Sequence, residues 1–497
     1  MVVFLKLDLR SATHFADIDF LIPTPSKSYR KPRKVTVCTI AGRFGGKFAN
    51  KPSICTADEL HYVPVPNSLW RLALWRYTPS SQGPKRNHPL LLLSGVGTNA
   101  IGYDLGPGSS FARYMSSQGF DTWILEVRGA GLSIEESFGE SLQHFNTNSS
   151  VLKPELNNGI STEDRNSGFS PKSELSSARD VTWNNISGLL QTRLNSAISS
   201  QVKDWRQKLA NIIQEGQRSI LLQQKVSSQI DGFQKQLDMF MKYDWDFDHY
   251  LEEDLPAAME YIRNQCQPKD NKLLAIGHSM GGILLYAMLS RNGYKGRNCG
   301  LASVVTLASS VDYSTSRSSL KLLLPIIDPA QALSVPVIPL GALMAAAYPL
   351  ASRPPYFLSW LNPQISAQNM MHPEMFEKLV LNNFGTIPSK LLLQLATVFQ
   401  DGGLRDRTNT FFFKDHMHKI KVPVLALAGD QDLICPPEAA YETIKLIPEH
   451  FITYKVLGEP GGPHFGHYDL VGSRLASDQV YPCIIKHLTC HDTISFS

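Results

Sequence analysis

The sequence is short of cysteine, and what it has is not paired. Seven cysteines in 497 residues, Cys38, Cys55, Cys266, Cys299, Cys435, Cys483 and Cys490, are odd in number and scattered, with no CxxC. That excludes a disulfide framework and a cysteine-built zinc site, and it fits a reducing compartment. Among 14 histidines there is no HExxH, and His416 and His418, two apart in a polar stretch, are not read as metal ligands. A surplus of one charge is lacking too. The balance of 48 Lys+Arg against 44 Asp+Glu leaves +4, too little for a nucleic-acid groove.

Long unbroken apolar runs are also missing. The opening MVVFLKL is interrupted by Lys6 and Asp8 before it reaches secretory length. Pro329 to Ser352 carries no charged side chain and is long enough to span a membrane. Pro329, Pro336, Pro339 and Pro349 would break such a helix repeatedly, so an apolar cap over a pocket is the reading. Acids are absent from Phe20 to Ala57, where Lys27, Arg30, Lys31, Arg33, Lys34, Arg43, Lys47 and Lys51 stand among Ser, Thr, Pro and Gly. This is transit-peptide composition, although Asp8, Asp17 and Asp19 precede it. Import into an organelle, a plastid ahead of a mitochondrion, is expected, with a solvated basic tail on a cytoplasmic protein as the alternative.

What is present is the composition of a folded protein, 43% hydrophobic and 19% charged. The length allows about three domains, or one α/β domain with large insertions. Glu59 to Pro66 and Trp70 to Tyr77 alternate apolar and polar residues around Pro66, Asn67 and Ser68, and predict an antiparallel hairpin with one buried face. Pro89 to Leu93 and Asp121 to Val127 are continuous apolar runs, as in strands buried on both faces of a parallel sheet. Between them Phe111 to Gln118 has helical spacing and stops at Gly119. Further strands are expected at Leu273 to Ile276, Ala302 to Leu307, Val422 to Ala428 and Phe451 to Val456. Strands alternating with helices predict a mostly parallel sheet covered on both sides.

Two interruptions divide this core. In residues 133–243 the first half is too polar to offset its ordering entropy and is expected to be disordered. The second half spaces Ile186, Leu190, Leu194 and Ile198, then Leu222, Val226, Ile230 and Phe233, at three or four residues. Two amphipathic helices are expected, packed on the core or on each other, with a membrane-surface or protein-partner role as the alternative. The second interruption, 312–420, contains the cap. The resulting division is 1–57, 58–132, 133–243, 244–311, 312–420 and 421–497.

The chemistry gathers at three strand ends. After Leu273 to Ile276 comes Gly277-His278-Ser279-Met280-Gly281-Gly282, then a helical stretch. A GxSxG turn between strand and helix raises a serine clear of the backbone, and only small neighbours such as Gly277 and Gly281 allow it. The turn also aims the Met280 amide and the helix's positive end at a developing oxyanion. A serine needs an imidazole to take its proton and an acid to hold that imidazole. Gly429-Asp430-Gln431-Asp432 follows one strand and Pro463-His464-Phe465-Gly466-His467 follows another, so acid and base candidates occur in the order Ser, Asp, His.

These elements, with LLLLSGVGTNA, EVRGAGLS, DLPAAMEYI, GDQDLICPP and GHYDLVGS, resemble the α/β-hydrolase superfamily, in particular its acid-lipase-like branch, over residues 59–131, 244–311 and 421–490. The resemblance implies the α/β-hydrolase fold, with Ser279 as nucleophile, Asp432 rather than Asp430 as acid, and His467 rather than His464 as base. The amides of Val96 and Met280 would form the oxyanion hole. The chain departs from the pattern in having Ser94-Gly95 where His-Gly is common, and in the insertion 133–243, which has no counterpart there. The implied activity is hydrolysis of a carboxylic ester through an acyl-enzyme, with no metal or redox cofactor. Leu322 to Leu324, Ile326, Ile327, Leu340, Leu343, Met344, Tyr356, Phe357 and Trp360 in the cap point to a lipid or other hydrophobic acyl ester as the substrate. An acyltransferase using the same serine, or a non-catalytic receptor or scaffold, are the alternatives.

Overall fold

A computed structural model describes residues 46–47, 52–106, 108–136, 243–321, 336–354 and 356–494. The basic amino-terminal stretch other than 46–47 and 52–57, the insertion from 137 to 242 with its expected disordered half and two amphipathic helices, and the Leu322 to Ile327 part of the cap lie outside the described residues.

Ten strands form one sheet: β1 (Gly46–Lys47), β2 (Glu59–Pro64), β3 (Trp70–Tyr77), β4 (Leu90–Leu93), β5 (Thr122–Glu126), β6 (Ile134–Glu135), β7 (Leu273–His278), β8 (Leu301–Leu307), β11 (Val424–Gly429) and β12 (Ile452–Leu457). Their order is β1-β2-β3-β5-β4-β7-β8-β11-β12, with β6 on β3. From β5 to β12 every pairing is parallel, and the pairings from β1 to β5 are antiparallel. The strands β4, β5, β7 and β11 are buried at every position, as their unbroken apolar sequences require of a sheet covered on both faces. Strand β12 is an edge, and its ITYKVL sequence is mostly exposed or half-buried.

The hairpin β2–β3 forms in the expected place, Glu59 opposite Arg76 and Pro64 opposite Arg71, with Asn67 at φ 58° in the turn. The expectation of a single buried face fails for β3. Leu72, Ala73, Leu74 and Trp75 are all fully buried, because β5 pairs along the other edge of β3 and makes it an interior strand.

The helix Phe111–Ser117 links β4 to β5, capped by Ser110 Oγ accepting from the Arg113 amide. Gly119 then turns at φ 87°, where an added Cβ would meet Pro84 O at 1.9 Å. The helix Leu255–Cys266 precedes β7, and the helix Met280–Lys295 follows it. The cap contains a helix, Leu340–Ser352, whose only buried residue is Ala351. It also contains a two-stranded ladder of β9 (Val337–Ile338) and β10 (Ile387–Pro388). No helix among the described residues is long and apolar enough to cross a membrane.

Candidate active site

Strand β7 ends at His278 and the next helix begins at Met280. The residue between them, Ser279, has φ 55° and ψ −122°, a conformation that side-chain-bearing residues adopt only under constraint. The constraint is visible. Ser279 N donates to Leu307 O on β8 at 2.9 Å, and Ser279 O accepts from the amides of Gly282 at 3.0 Å and Ile283 at 3.1 Å. Ser309 Oγ donates to Ser279 O at 2.8 Å. A Cβ at Gly277 would lie 2.4 Å from the Gly281 backbone, and one at Gly281 would lie 2.1 Å from Leu93 O. Two glycines are thus what lets the turn close against β4.

The loop after β4 comes up beside this serine. A methyl on Gly95 would stand 3.4 Å from Ser279 Cβ and 3.7 Å from its Oγ. Thr98 closes the loop, its Oγ1 donating to Gly95 O at 2.8 Å. The cap holds it from above, with Gly385 N donating to Gly97 O at 2.7 Å and Asn99 N to Asn383 O at 3.1 Å. From behind, the fully buried carboxylate of Glu126 accepts from the Ala100 amide at 2.9 Å and the Leu132 amide at 2.7 Å. Burial pushes the Glu126 carboxyl above its usual range, against the lowering effect of those amides. The amides of Val96 and Met280 donate to no acceptor among the described residues.

Asp432 and His467 meet. His467 Nδ1 lies 2.8 Å from Asp432 Oδ2, with side chains 4% and 0% exposed. The other carboxylate oxygen accepts from the amides of Ile434 at 2.9 Å and Cys435 at 2.8 Å, so the acid is fixed before it orients the imidazole. The loop carrying His467 is tied down in turn by Asp469. Its carboxylate accepts from the Gly466 amide at 2.6 Å, Ala367 N at 2.7 Å and Ser366 Oγ at 2.6 Å. Burial raises the Asp469 carboxyl in spite of these donors.

The residue beside the serine connects the two halves. His278 Nε2 donates to His467 O at 3.0 Å, and the two rings lie 4.7 Å apart, centroid to centroid. Burial, and then the neighbouring His467, lower the His278 pKa to about 3. This imidazole stays neutral and keeps the N–H that the bond needs. Between Ser279 Oγ and His467 there is no hydrogen bond, and Nε2 of His467 has no partner among the described residues. Nucleophile–base bonds are commonly long in unliganded sites and tighten around substrate.

The rejected candidates pair with each other. His464 Nδ1 lies 2.5 Å from Asp430 Oδ2, with side chains 36% and 23% exposed. Sequence reasoning did not find His278, Ser309, Glu126 or Asp469 as positioning residues. Glu126 and Asp469 had a signal, a lone acid at the end of an apolar run and an acid inside GHYDLVG; Ser309 had none. The cap aromatics Tyr356, Phe357 and Trp360 are all exposed.

A sequence model of the alpha/beta hydrolase fold family matches residues 88–469, and the chain belongs to that family. No curated protein matches it. Among solved structures it is similar to a soluble variant of monoglyceride lipase from Saccharomyces cerevisiae, in complex with a substrate analog. That likeness has 12% identity and a TM-score of 0.46, covering 89% of this chain and 99% of the other. A thermophilic esterase from Thermogutta terrifontis gives 14% identity and a TM-score of 0.39, covering 90% and 99%. A Paleococcus ferrophilus monoacylglycerol lipase gives 13% and 0.39, covering 84% and 99%. Identities and TM-scores this low carry none of these proteins' activities over.

Proposed function

We propose that the chain is a serine hydrolase of carboxylic esters, with Ser279 as nucleophile, His467 as general base and Asp432 as its orienting acid. The observation that carries this reading is the constrained Ser279 backbone beside the Gly95 loop, within one residue of the His278 bond to His467. As Ser279 Oγ bonds to the acyl carbon, His467 Nε2 takes its proton and the carbonyl electron pair moves to oxygen. The amides of Val96 and Met280 stabilise that oxyanion. Collapse breaks the ester bond, and the leaving alkoxide takes the proton from His467. Water repeats the sequence on the acyl-enzyme, releasing the acid and restoring the serine.

The substrate on this reading is a hydrophobic ester, presented at a lipid surface. The cap helix Leu340–Ser352 has no charged residue and leaves Leu343 and Leu350 exposed, with Tyr356, Phe357 and Trp360 just beyond it. A helix with an apolar outer side and neighbouring aromatics suits the headgroup–acyl boundary of a membrane. The acid-poor amino terminus supports plastid import, to be checked by the amino-terminal residue of protein isolated from the organelle.

The test of the catalytic reading is labelling of the full chain with a fluorophosphonate, followed by an ester series of graded acyl length. An adduct on Ser279, with turnover rising toward longer chains, is expected. Absence of the adduct on folded protein would overturn it. Adding a competing alcohol and identifying the products separates hydrolysis from acyl transfer.

A further inference from the structure

A cavity of about 280 Å³ lies apart from the serine, between the amino-terminal turn of the helix Phe111–Ser117, His372 and the segment Gly472–Arg474. Its size is just under the ~300–1,000 Å³ typical of small-molecule sites. Its lining is unusual in sign and in unused donors. Two arginines, Arg113 and Arg474, and His372 face it with five serines, and no acidic side chain lines it. Arg113 is held in place by Asp58 at 2.9 Å and lies over the Tyr77 ring at 4.9 Å. The guanidinium of Arg474 and the imidazole of His372 have no ion-pair or hydrogen-bond partner among the described residues.

A second observation points the same way. Ser473, in the wall of this cavity, is 9% exposed, and its buried Oγ has no hydrogen-bond partner among the described residues. An unmet buried hydroxyl costs roughly 1–3 kcal/mol, and a ligand able to accept from it would remove that cost. Asp58 is paired with Arg113, and Asp478 accepts from Ser477 Oγ at 3.1 Å. Ser117 Oγ and Ser477 Oγ already donate, to Tyr114 O and Asp478; what remains is a donor-rich set with planar guanidinium groups in it, and such a set matches a tetrahedral oxyanion with several acceptor oxygens.

We propose that this cavity binds a phosphate group, either free, on a small soluble phosphate ester, or as the headgroup of a lipid. Arg474 is the principal contact and Ser473 a supporting donor. The wall Gly472–Arg474 continues directly from the helix Asp469–Gly472 behind His467, so an occupied cavity would steady the segment that carries the base.

The test is calorimetric titration of the full chain with inorganic phosphate and with glycerol 3-phosphate, at constant ionic strength set by chloride, alongside flotation with phosphatidylcholine vesicles with and without phosphatidic acid. Saturable binding of either soluble probe is expected, weakened at least about tenfold in Arg474→Gln and less in Ser473→Ala, with Arg474→Lys partly restoring it. Arg474 is exposed, so the folded state of these variants, followed by thermal unfolding, should match wild type. Flotation that depends on phosphatidic acid and is lost in Arg474→Gln would assign the phosphate to a lipid; soluble binding without it would assign a soluble ester. Absence of both, or binding unchanged in the Ser473→Ala, Arg474→Gln double variant, would overturn the proposal. Ser279→Ala protein should bind phosphate like wild type, so failure here and failure of the hydrolase reading are separable.

Discussion

Strands β11 and β12 end in neighbouring loops, and these loops hold two Asp–His pairs of identical chemistry in different surroundings. Asp432–His467 is almost wholly buried, whereas Asp430–His464 is partly in water. In both, Nδ1 meets the carboxylate and Nε2 has no partner among the described residues. The difference lies in what else is attached. Asp432 is fixed by two backbone amides, and His467 is joined through its carbonyl to the residue beside Ser279. Asp430 has the Phe465 amide, at 2.8 Å, and its histidine leads nowhere. An acid–imidazole pair is common on protein surfaces. Placement against a raised hydroxyl, in a low-dielectric setting where its charge interactions are strong, is what gives such a pair catalytic use.

The comparison is broken most sharply by rates. Ser279→Ala and His467→Ala should each lower kcat/KM for an acyl ester by about 10⁴-fold or more, while His464→Ala should stay within about threefold of wild type. Equal losses at the two histidines in steady-state assays would refute the assignment of the base. Asp432→Asn should cost roughly 10³–10⁴-fold, because an amide favours the wrong imidazole tautomer. Asp430→Asn should leave the rate alone and cost at most about 1 kcal/mol of stability by denaturant titration. A smaller effect is expected at Ser309, whose Oγ lies 2.8 Å from both Ser279 O and Leu307 O. Ser309→Ala should lower kcat roughly three- to tenfold with little change in KM, through loss of positioning; a change confined to KM would count against that role.

The reach of the sequence follows the same physics. Continuous apolar runs such as Leu90–Leu93 and Val424–Gly429 were legible as doubly covered strands, because only a parallel interior leaves no polar face. Ser279 and Asp432 were readable as candidates because each sits in a short stereotyped turn just past such a strand, whereas His467 follows the half-exposed edge strand β12 and was readable from its Gly-His-Tyr-Asp context. The interior placement of β3 was not, since its alternation says nothing of a neighbour, β5, that arrives about 50 residues later. Ser309 and Asn383 were illegible for a related reason. Their partners, Ser279 O and the Asn99 amide, are backbone atoms from distant segments, and backbone acceptors and donors leave no mark on the sequence.

A third histidine sharpens the comparison with the smallest expected effect. His88, at the entry to β4, is as buried as His467, but both of its ring nitrogens are taken: Nδ1 by Asp492 at 2.8 Å and Nε2 by Asp270 at 2.9 Å. Burial with carboxylates is therefore not sufficient for catalysis, since a ring with no free nitrogen cannot move a proton. Its role is to fasten the carboxyl-terminal segment to the sheet. Burial by itself would lower the His88 pKa, but the two aspartates outweigh it and the value is raised. A raised folded-state pKa contributes stability that is complete below the ordinary histidine value of about 6.5 and fades as pH rises through the folded one. His88→Gln should then be destabilised relative to wild type most at about pH 6, with the gap narrowing toward about pH 9, while ester turnover per folded molecule stays unchanged. Thermal unfolding of both proteins across that range measures the gap; a difference that does not vary with pH would mean that His88 holds its aspartates as a neutral hydrogen-bonding ring, and that charge plays no part in the fastening.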